Sequence, residues 1–586
     1  MKKTLYIILM VLCGGLGQVL VSCGDLLDQK SDRVIYSDKE HLNNASDTLY
    51  SVIGIMNKIQ ALADRTVLLG ELRGDLVDVR SNTAADLREI SNFNVSTNNQ
   101  YNSPRDYYMV INNCNYFLAN ADTALKNNRN EYIFRKEYAA VKAFRAWTYL
   151  QLVLNYGKVP LVTEPVLTKD DNDKQYEMKD IKGICEYFIN DIAPYADVER
   201  PSYGTIRSND SRLFFFPIYV LMGDLNLWAG NYRQAAWCYY KYISTRNGAN
   251  SAYPIGGYQV SWMKGDTKWK TTLGTWRTHC FYTESIADDS EVITVIPGDS
   301  IPSEGNYSHL QNYFNARESN NYQASIVSSQ ALRNLSGVQK YCHVNSANEI
   351  VYAPDNLVDD KSGDLRYSDF YTERSVNVAV SGAKVDKLIE CQKYSGRNVR
   401  IYRCAMVYLR LAEALNRAGF PRFAFSILKT GVNNNVIEND IIPYYPEEEA
   451  FLKQFDFPTS KYILRTKANA STENTIGIHS RGAGWTEYND YYLYPERDTA
   501  EEEQNAVEDL IMDECALECA FEGTRFYDLM RVALRRNAPS YLADRVYARR
   551  GAEKLAEMQG IIAVDLKNPN NWYLNWDNQL GLSITK

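Results

Sequence analysis

Apolar residues recur at spacings of three and four through much of this chain, the mark of helices with one buried face. Over Arg403–Ala418, the side chains of Val407, Leu411, Ala414, Leu415 and Ala418 fall on one side. Over Glu137–Tyr156 the balance is reversed. Lys142, Arg145, Thr148, Gln151 and Asn155 form one narrow polar stripe, and apolar side chains cover the rest of the circumference. That predicts a deeply buried helix, ended by Gly157 and Pro160, with a partner helix over Asp180–Ile192. A further pair is predicted from Leu42–Ala63 and from a helix that Ser103 caps and Pro104 opens. Near the C-terminus Thr499 and Glu502 make a capping box for a helix reaching about Phe521. Glu522-Gly523 breaks it, and a second helix follows to about Arg536.

Two segments share the pattern A-G-x-x-R-x-A: Ala229-Gly230-Asn231-Tyr232-Arg233-Gln234-Ala235 and Ala418-Gly419-Phe420-Pro421-Arg422-Phe423-Ala424. Each lies between two apolar-rich helical stretches and predicts a helix-turn-helix. The glycine closes the first helix in the left-handed conformation, and the alanine lets the second approach closely. The unit resembles the tetratricopeptide hairpin. The expected fold is mainly α, with about four such hairpins forming a curved scaffold. Long segments rich in Asn, Ser, Gly and Tyr, near 247–345 and 432–498, decorate it as loop-rich insertions with few short strands, one of them over Glu291–Ile296. The hairpins recur from residue 40 to residue 540, so residues 23–586 are expected to form a single domain.

A net charge of −8 leaves no broad basic surface, which argues against nucleic acid as a partner. Of 11 cysteines, those outside the first 23 residues are odd in number and show no CxxC or CxxH spacing, which argues against a zinc site and a disulfide framework. Cys515 and Cys519, four apart on a helix, have the spacing of a metal pair and also that of one buried face. None of the five histidines, His41, His279, His309, His343 and His479, has another four residues away, so HExxH is absent; GxSxG and Walker A motifs are absent too. No catalytic residue, metal or cofactor is expected. A spatial pair of carboxylates, as in a glycosidase, remains the enzymatic alternative.

At the N-terminus Lys2 and Lys3 precede the short apolar run Tyr6–Leu12, which falls short of the about 20 residues needed to span a bilayer. Residues 1–22 read as a secretory signal. Leu20-Val21-Ser22-Cys23 resembles the lipobox of bacterial lipoproteins, with Cys23 as the lipidated (palmitate-bearing) N-terminus. Asp25 and Asp28 resemble the acidic tags that send lipoproteins to the outer face of the outer membrane.

The composition is rich in aromatics, with 44 Tyr and 9 Trp. Between Tyr253 and Tyr282 they include Tyr258, Trp262, Trp269 and Trp276, without helical period. Displayed on a loop, such faces suit stacking on a sugar ring or clamping a peptide side chain; packed beneath it, they form a satellite core. The stretch Glu71–Arg80 alternates charged and apolar residues after the first helix. Its Asp75, Asp78 and Arg80 would either hydrogen-bond a ligand or pair internally.

Three motifs carry a family likeness. Ala140–Tyr149, continued by Asn155-Tyr156-Gly157-Lys158-Val159-Pro160-Leu161-Val162, resembles the alanine-rich helix and "YGDVPL" turn of the SusD/RagB surface nutrient-binding lipoproteins. Tyr408-Leu409-Arg410-Leu411-Ala412-Glu413-Ala414 resembles the "LRLAEA" helix, and Glu514–Leu529 the "ERALEFAFEGKRWFDL" signature. Many members end in "WYLPIP"; this chain reads Trp572-Tyr573-Leu574-Asn575-Trp576-Asp577 and lacks both prolines. The resemblance implies a SusD-like fold and a non-enzymatic role on the cell surface: capture of an oligosaccharide, or of a peptide as in RagB-like relatives, for a SusC-like TonB-dependent transporter barrel. In the signature, Glu518, Glu522, Arg525 and Asp528 sit at helical spacing and are expected to form structural ion pairs.

Overall fold

A computed structural model of the chain describes residues 42, 47–206, 208–245, 260–262, 269–271, 291–298, 307–315, 324–344, 350–353, 363–374, 378–380, 383–385, 388–458, 477–483, 491–576 and 581–582. The body is mainly helical. The helices that build it are α1 (Asp47–Gln60), α2 (Ala63–Leu72), α3 (Pro104–Asn120), α4 (Arg135–Tyr156), α5 (Ile181–Ile192), α6 (Ile218–Ala229), α7 (Tyr232–Thr245), α8 (Cys404–Arg417), α9 (Pro421–Lys429), α10 (Ala500–Cys519) and α11 (Arg525–Arg535). From α3 to α9 each packs on the next: α3 on α4, α4 on α5, α5 on α6, α6 on α7, α7 on α8 and α8 on α9. α10 closes against α8 and α9, and α11 against α2. Among the described residues, strands pair only two at a time. β1 (Val77–Val79) pairs with β3 (Ile326–Ser328), and β2 (Val292–Ile296) with β4 (Val399–Arg403), both antiparallel.

The two A-G-x-x-R-x-A segments form the turns α6–α7 and α8–α9. Gly230 and Gly419 take φ of +84° and +101°, and the next N–H reaches back over the turn, Asn231 to the Asn226 carbonyl (2.8 Å) and Phe420 to that of Leu415 (2.9 Å). Ala235 and Ala424 are fully buried. Close approach also relies on Gly223, where a Cβ would come within 2.3 Å of the Tyr239 ring.

The polar stripe of α4 faces inward. Arg145 donates to Asn115 Oδ1 (2.9 Å) and Asp191 Oδ2 (2.9 Å), Thr148 to the Phe144 carbonyl (2.7 Å), and Asn155 Oδ1 accepts from Arg73 and from the Tyr527 hydroxyl (2.9 Å). A buried polar group is tolerated when it is paired, and this stripe is the seam along which α3, α5 and α11 meet α4.

Several local expectations need correction. The predicted Leu42–Ala63 helix is interrupted at Ala61–Leu62, and α2 then runs through Glu71 and Leu72, so the charged stretch begins inside a helix. Ser103 stands at the N-cap of α3, but its side chain makes no cap hydrogen bond. Its carbonyl is instead taken by Arg65 (3.1 Å). The Thr499 cap is present: its hydroxyl accepts from the Glu502 N–H at 3.2 Å. α10 stops two residues early, because Phe521 turns to φ +68°.

What ties the non-helical segments to this body is charge. On α10, Glu514 and Glu518 point into the interior. Arg366 donates to Glu514 (2.6 Å), Glu518 (2.8 Å) and Asp364 (2.8 Å). Arg403, at the end of β4, donates to Glu518 (2.7 Å) and Glu522 (2.8 Å); Lys393 reaches Glu522 (2.7 Å); Arg481 bridges Glu518 and Glu291. All of these side chains are at most 1% exposed. Burial alone would push the Glu518 carboxyl up, but Arg481, Arg403 and Arg366 outweigh it and hold it well below the usual carboxylate range.

Candidate functional site

α2 carries the candidate site at its first turn. Asp64 accepts from the Ser308 hydroxyl (2.6 Å) and the His309 N–H (2.7 Å), which fixes segment 307–315 against the helix. Burial pushes the Asp64 carboxyl up, and those two hydrogen bonds pull part of the way back. The anchored segment presents three rings in a row: Tyr307 lies 4.9 Å from His309, and His309 lies 6.2 Å from Tyr313. The Arg397 guanidinium sits 4.0 Å over Tyr307 and donates to the Ser308 carbonyl (3.0 Å). Tyr101 meets Tyr313, hydroxyl to hydroxyl, at 3.3 Å. Arg65 holds residues 100–103 in place through the carbonyls of Gln100 and Ser103 and through Asp106 (2.6 Å). Tyr307, His309, Tyr101 and Arg397 border a cleft of ≈ 220 Å³ shared with Gln60, Gln100, Pro297 and Gly298. Rings fixed from behind, with amide and guanidinium donors at the rim, suit a ligand that has both an apolar face and hydroxyl or carbonyl edges.

Arg80 is linked to this segment through the backbone alone. Its N–H donates to the Ser325 carbonyl (3.2 Å), and the Ser325 N–H donates to the Tyr313 carbonyl (2.9 Å), so the end of the β1–β3 ribbon runs directly into the ring row. Asp75 and Asp78 take the other alternative. Arg525 clasps Asp75 at 2.6 and 3.0 Å, and Arg550 clasps Asp78 at 2.6 and 3.1 Å. Trp262 and Trp269 are register partners in a two-stranded ribbon, Val260–Trp262 with Trp269–Thr271, whose first strand lies against Tyr341–Val344 and Ser480–Ala483. Tyr258, Trp276 and Cys23 lie outside the described residues.

The ring row was missed in the sequence although its signal is there: Tyr307 and His309 alternate, and His309 and Tyr313 are four apart, which puts rings on one side of a short turn.

The acids of the C-terminal signature are occupied. Glu518 and Glu522 lie in the buried ion network, Arg525 holds Asp75, and Arg531 holds Asp528 (2.8 Å) and Glu413 (2.6 Å). Cys515 and Cys519 are buried without a disulfide. Among the described residues no cluster of His, Cys, Asp and Glu could hold a metal ion, and no helix is long and apolar enough to cross a membrane.

A stacked helical body with two-stranded ribbons and an aromatic-rimmed cleft defines a binding scaffold. Residues 467–575 match the sequence model of the SusD family. It is similar to a SusD superfamily protein of Bacteroides thetaiotaomicron at 15% identity, over 90% of this chain and 98% of that one, with a TM-score of 0.52. It is likewise similar to a SusD-like carbohydrate binding protein of Bacteroides fragilis (12% identity, 86% and 89% covered, TM-score 0.53) and to NanU of B. fragilis (18%, 90% and 95%, 0.50). At these identities the likeness is one of fold. No curated protein matches the chain.

Proposed function

We propose that this protein is a nutrient-binding lipoprotein of the cell surface, anchored in the outer membrane through Cys23, which captures an oligosaccharide and passes it to a SusC-like TonB-dependent barrel. The observation that carries the reading is the row Tyr307, His309 and Tyr313, edge to face and then face to face along one anchored segment, with the Arg397 guanidinium over Tyr307. The description of one structural neighbour as carbohydrate binding supports the ligand class. Trp262, Trp269, Trp276 and Tyr258 are further candidate ligand contacts in this proposal. The role is capture without turnover.

The test is a combined glycan and peptide array probed with the mature protein, with Tyr307→Ala and Arg397→Ala beside it. Glycan spots are expected. Each substitution should weaken them by about 2 kcal/mol, roughly 30-fold, the scale of a well-packed aromatic or arginine anchor. Peptide spots alone would make the protein a RagB-like peptide-capture subunit, and released sugar products would make it a hydrolase. For the anchor, Cys23→Ala is expected to move the protein from the membrane to the soluble fraction. Retention in the membrane would refute lipidation at Cys23.

A further inference from the structure

At the far end of α2 from the ring row lies a larger cleft of ≈ 790 Å³. Its walls are the end of α4 (Tyr156, Gly157), the start of α5 (Ile181, Lys182), the α6–α7 turn (Trp228, Tyr232), α11 (Arg531, Arg535) and the C-terminal segment Asn570–Trp576. It shares no residue with the first cleft. The ten residues of α2 place about 15 Å of helix between them, since Asp64 starts that helix and Arg73, just past its end, donates to the Trp572 carbonyl (3.0 Å).

Four half-buried aromatic rings line this cleft: Trp228, Tyr232, Tyr573 and Trp576. Three are braced from behind. The Arg531 guanidinium, itself fixed by Glu413 and Asp528, lies 5.2 Å from the Trp228 ring. Tyr573 packs on Gly157, at φ +75°, where a Cβ would come within 3.0 Å of its ring. Trp576 stands edge-on to Tyr108 (6.0 Å) and Tyr156 (5.5 Å), and its buried indole N–H has no hydrogen-bond partner among the described residues. Polar groups alternate with the rings around the opening: Lys158, Asp180, Lys182, Asn570 and Asn575. The volume falls in the range of about 300–1,000 Å³ typical of small-ligand sites. Ile181, Leu227, Leu534 and Leu574 add aliphatic surface between the rings. Rigid rings with scattered donors and acceptors match an amphipathic ring with a C–H face and a hydroxyl edge.

We infer that this cleft is a second saccharide-binding site, separate from the ring row, with Trp228 and Trp576 as its stacking faces. The departure from the family's C-terminal pattern falls on its wall, at Asn575 and Trp576, so its selectivity belongs to this branch. The inference shares its ligand class with the function proposed above but none of its residues.

The experiment is the same glycan and peptide array with four forms of the mature protein: wild type, Tyr307→Ala/Arg397→Ala, Trp228→Ala/Trp576→Ala, and the ring-row pair combined with Asn575→Trp. The last blocks the cleft from an exposed position without removing a packed side chain, and an unchanged melting temperature verifies its fold. The ring-row variant should keep a subset of glycan spots, and both sets of cleft changes should weaken that subset at least tenfold. Loss of every glycan in the ring-row variant alone, or survival of the retained spots when the cleft is blocked, overturns the second site. Retained spots that are peptides overturn the saccharide assignment. If the ring-row variant binds as wild type does and the cleft variants bind nothing, the cleft stands and the ring row falls. Binding of no glycan by any form overturns both.

Discussion

Glu518→Ala is expected to lower the unfolding free energy by about 3–5 kcal/mol, the cost of breaking a buried ion pair from one side. The carboxylate is shared by Arg366, Arg403 and Arg481, and its own side chain is 0% exposed. Its removal leaves guanidinium groups in the interior short of countercharge. The pH dependence has a definite sign. The folded-state carboxyl is held low, so its stabilisation is fully present above the ordinary carboxylate value and is lost as pH falls through the depressed one. Glu514, Glu522, Glu413 and Asp75 are depressed too, each because arginine or lysine outweighs burial, so wild type should lose stability steeply in acid. Glu518→Gln should lose less over the same range. Denaturant midpoints at neutral and acid pH measure both effects, and a loss below about 1 kcal/mol for Glu518→Ala, the level of a surface pair, would show that the network contributes no more than surface ion pairs do.

Glu71→Gln has the opposite sign. Glu71 is buried and, among the described residues, has no salt-bridge partner; it accepts the Gly523 N–H at 2.8 Å. Burial pushes its carboxyl up to about 7, against the pull of that hydrogen bond and of Lys393. A raised folded-state value means stability that is complete below the unfolded value near 4.5 and is lost as pH rises through about 7. The loss comes to about 3 kcal/mol at the usual 1.36 kcal/mol per decade. Glutamine keeps an acceptor for the Gly523 N–H and does not titrate. The variant should therefore match wild type near pH 4.5 and exceed it by about 3 kcal/mol above pH 7. A difference that stays flat between pH 4.5 and 8 would show that Glu71 ionises in the folded state as easily as in the unfolded one.

The helical body was legible because its information is local. The Gly230 and Gly419 turns, the Thr499 cap and the apolar face of Arg403–Ala418 each declare themselves within a few residues. What was not legible depends on partners far along the chain. Nothing near Asp75 announces Arg525, so internal pairing could be expected there but its partner could not be named until the fold was known. The narrow polar stripe of α4 announced a buried helix but not what its polar groups meet, because Asn115, Asp191 and Tyr527 come from other helices. The candidate site was displaced for a different reason. Attention falls on tryptophan density between Tyr253 and Tyr282, whereas the ring row is sparse in sequence and becomes a row only when Asp64 fastens residues 308 and 309.

The ion network on α10 also constrains the order in which the chain is completed. Arg366, Arg403 and Arg481 are synthesised before Glu514, Glu518 and Glu522, and α2 waits for Gly523, Arg525 and Trp572, up to 499 residues away. A nascent chain that stops short of α10 therefore holds Lys393 and Arg403 without the carboxylates that pair them, and Arg366 and Arg481 with only part of theirs. Loop closure over such separations is slow. The architecture thus defers the completion of its ion network until α10, which begins at Ala500 of 586 residues, arrives.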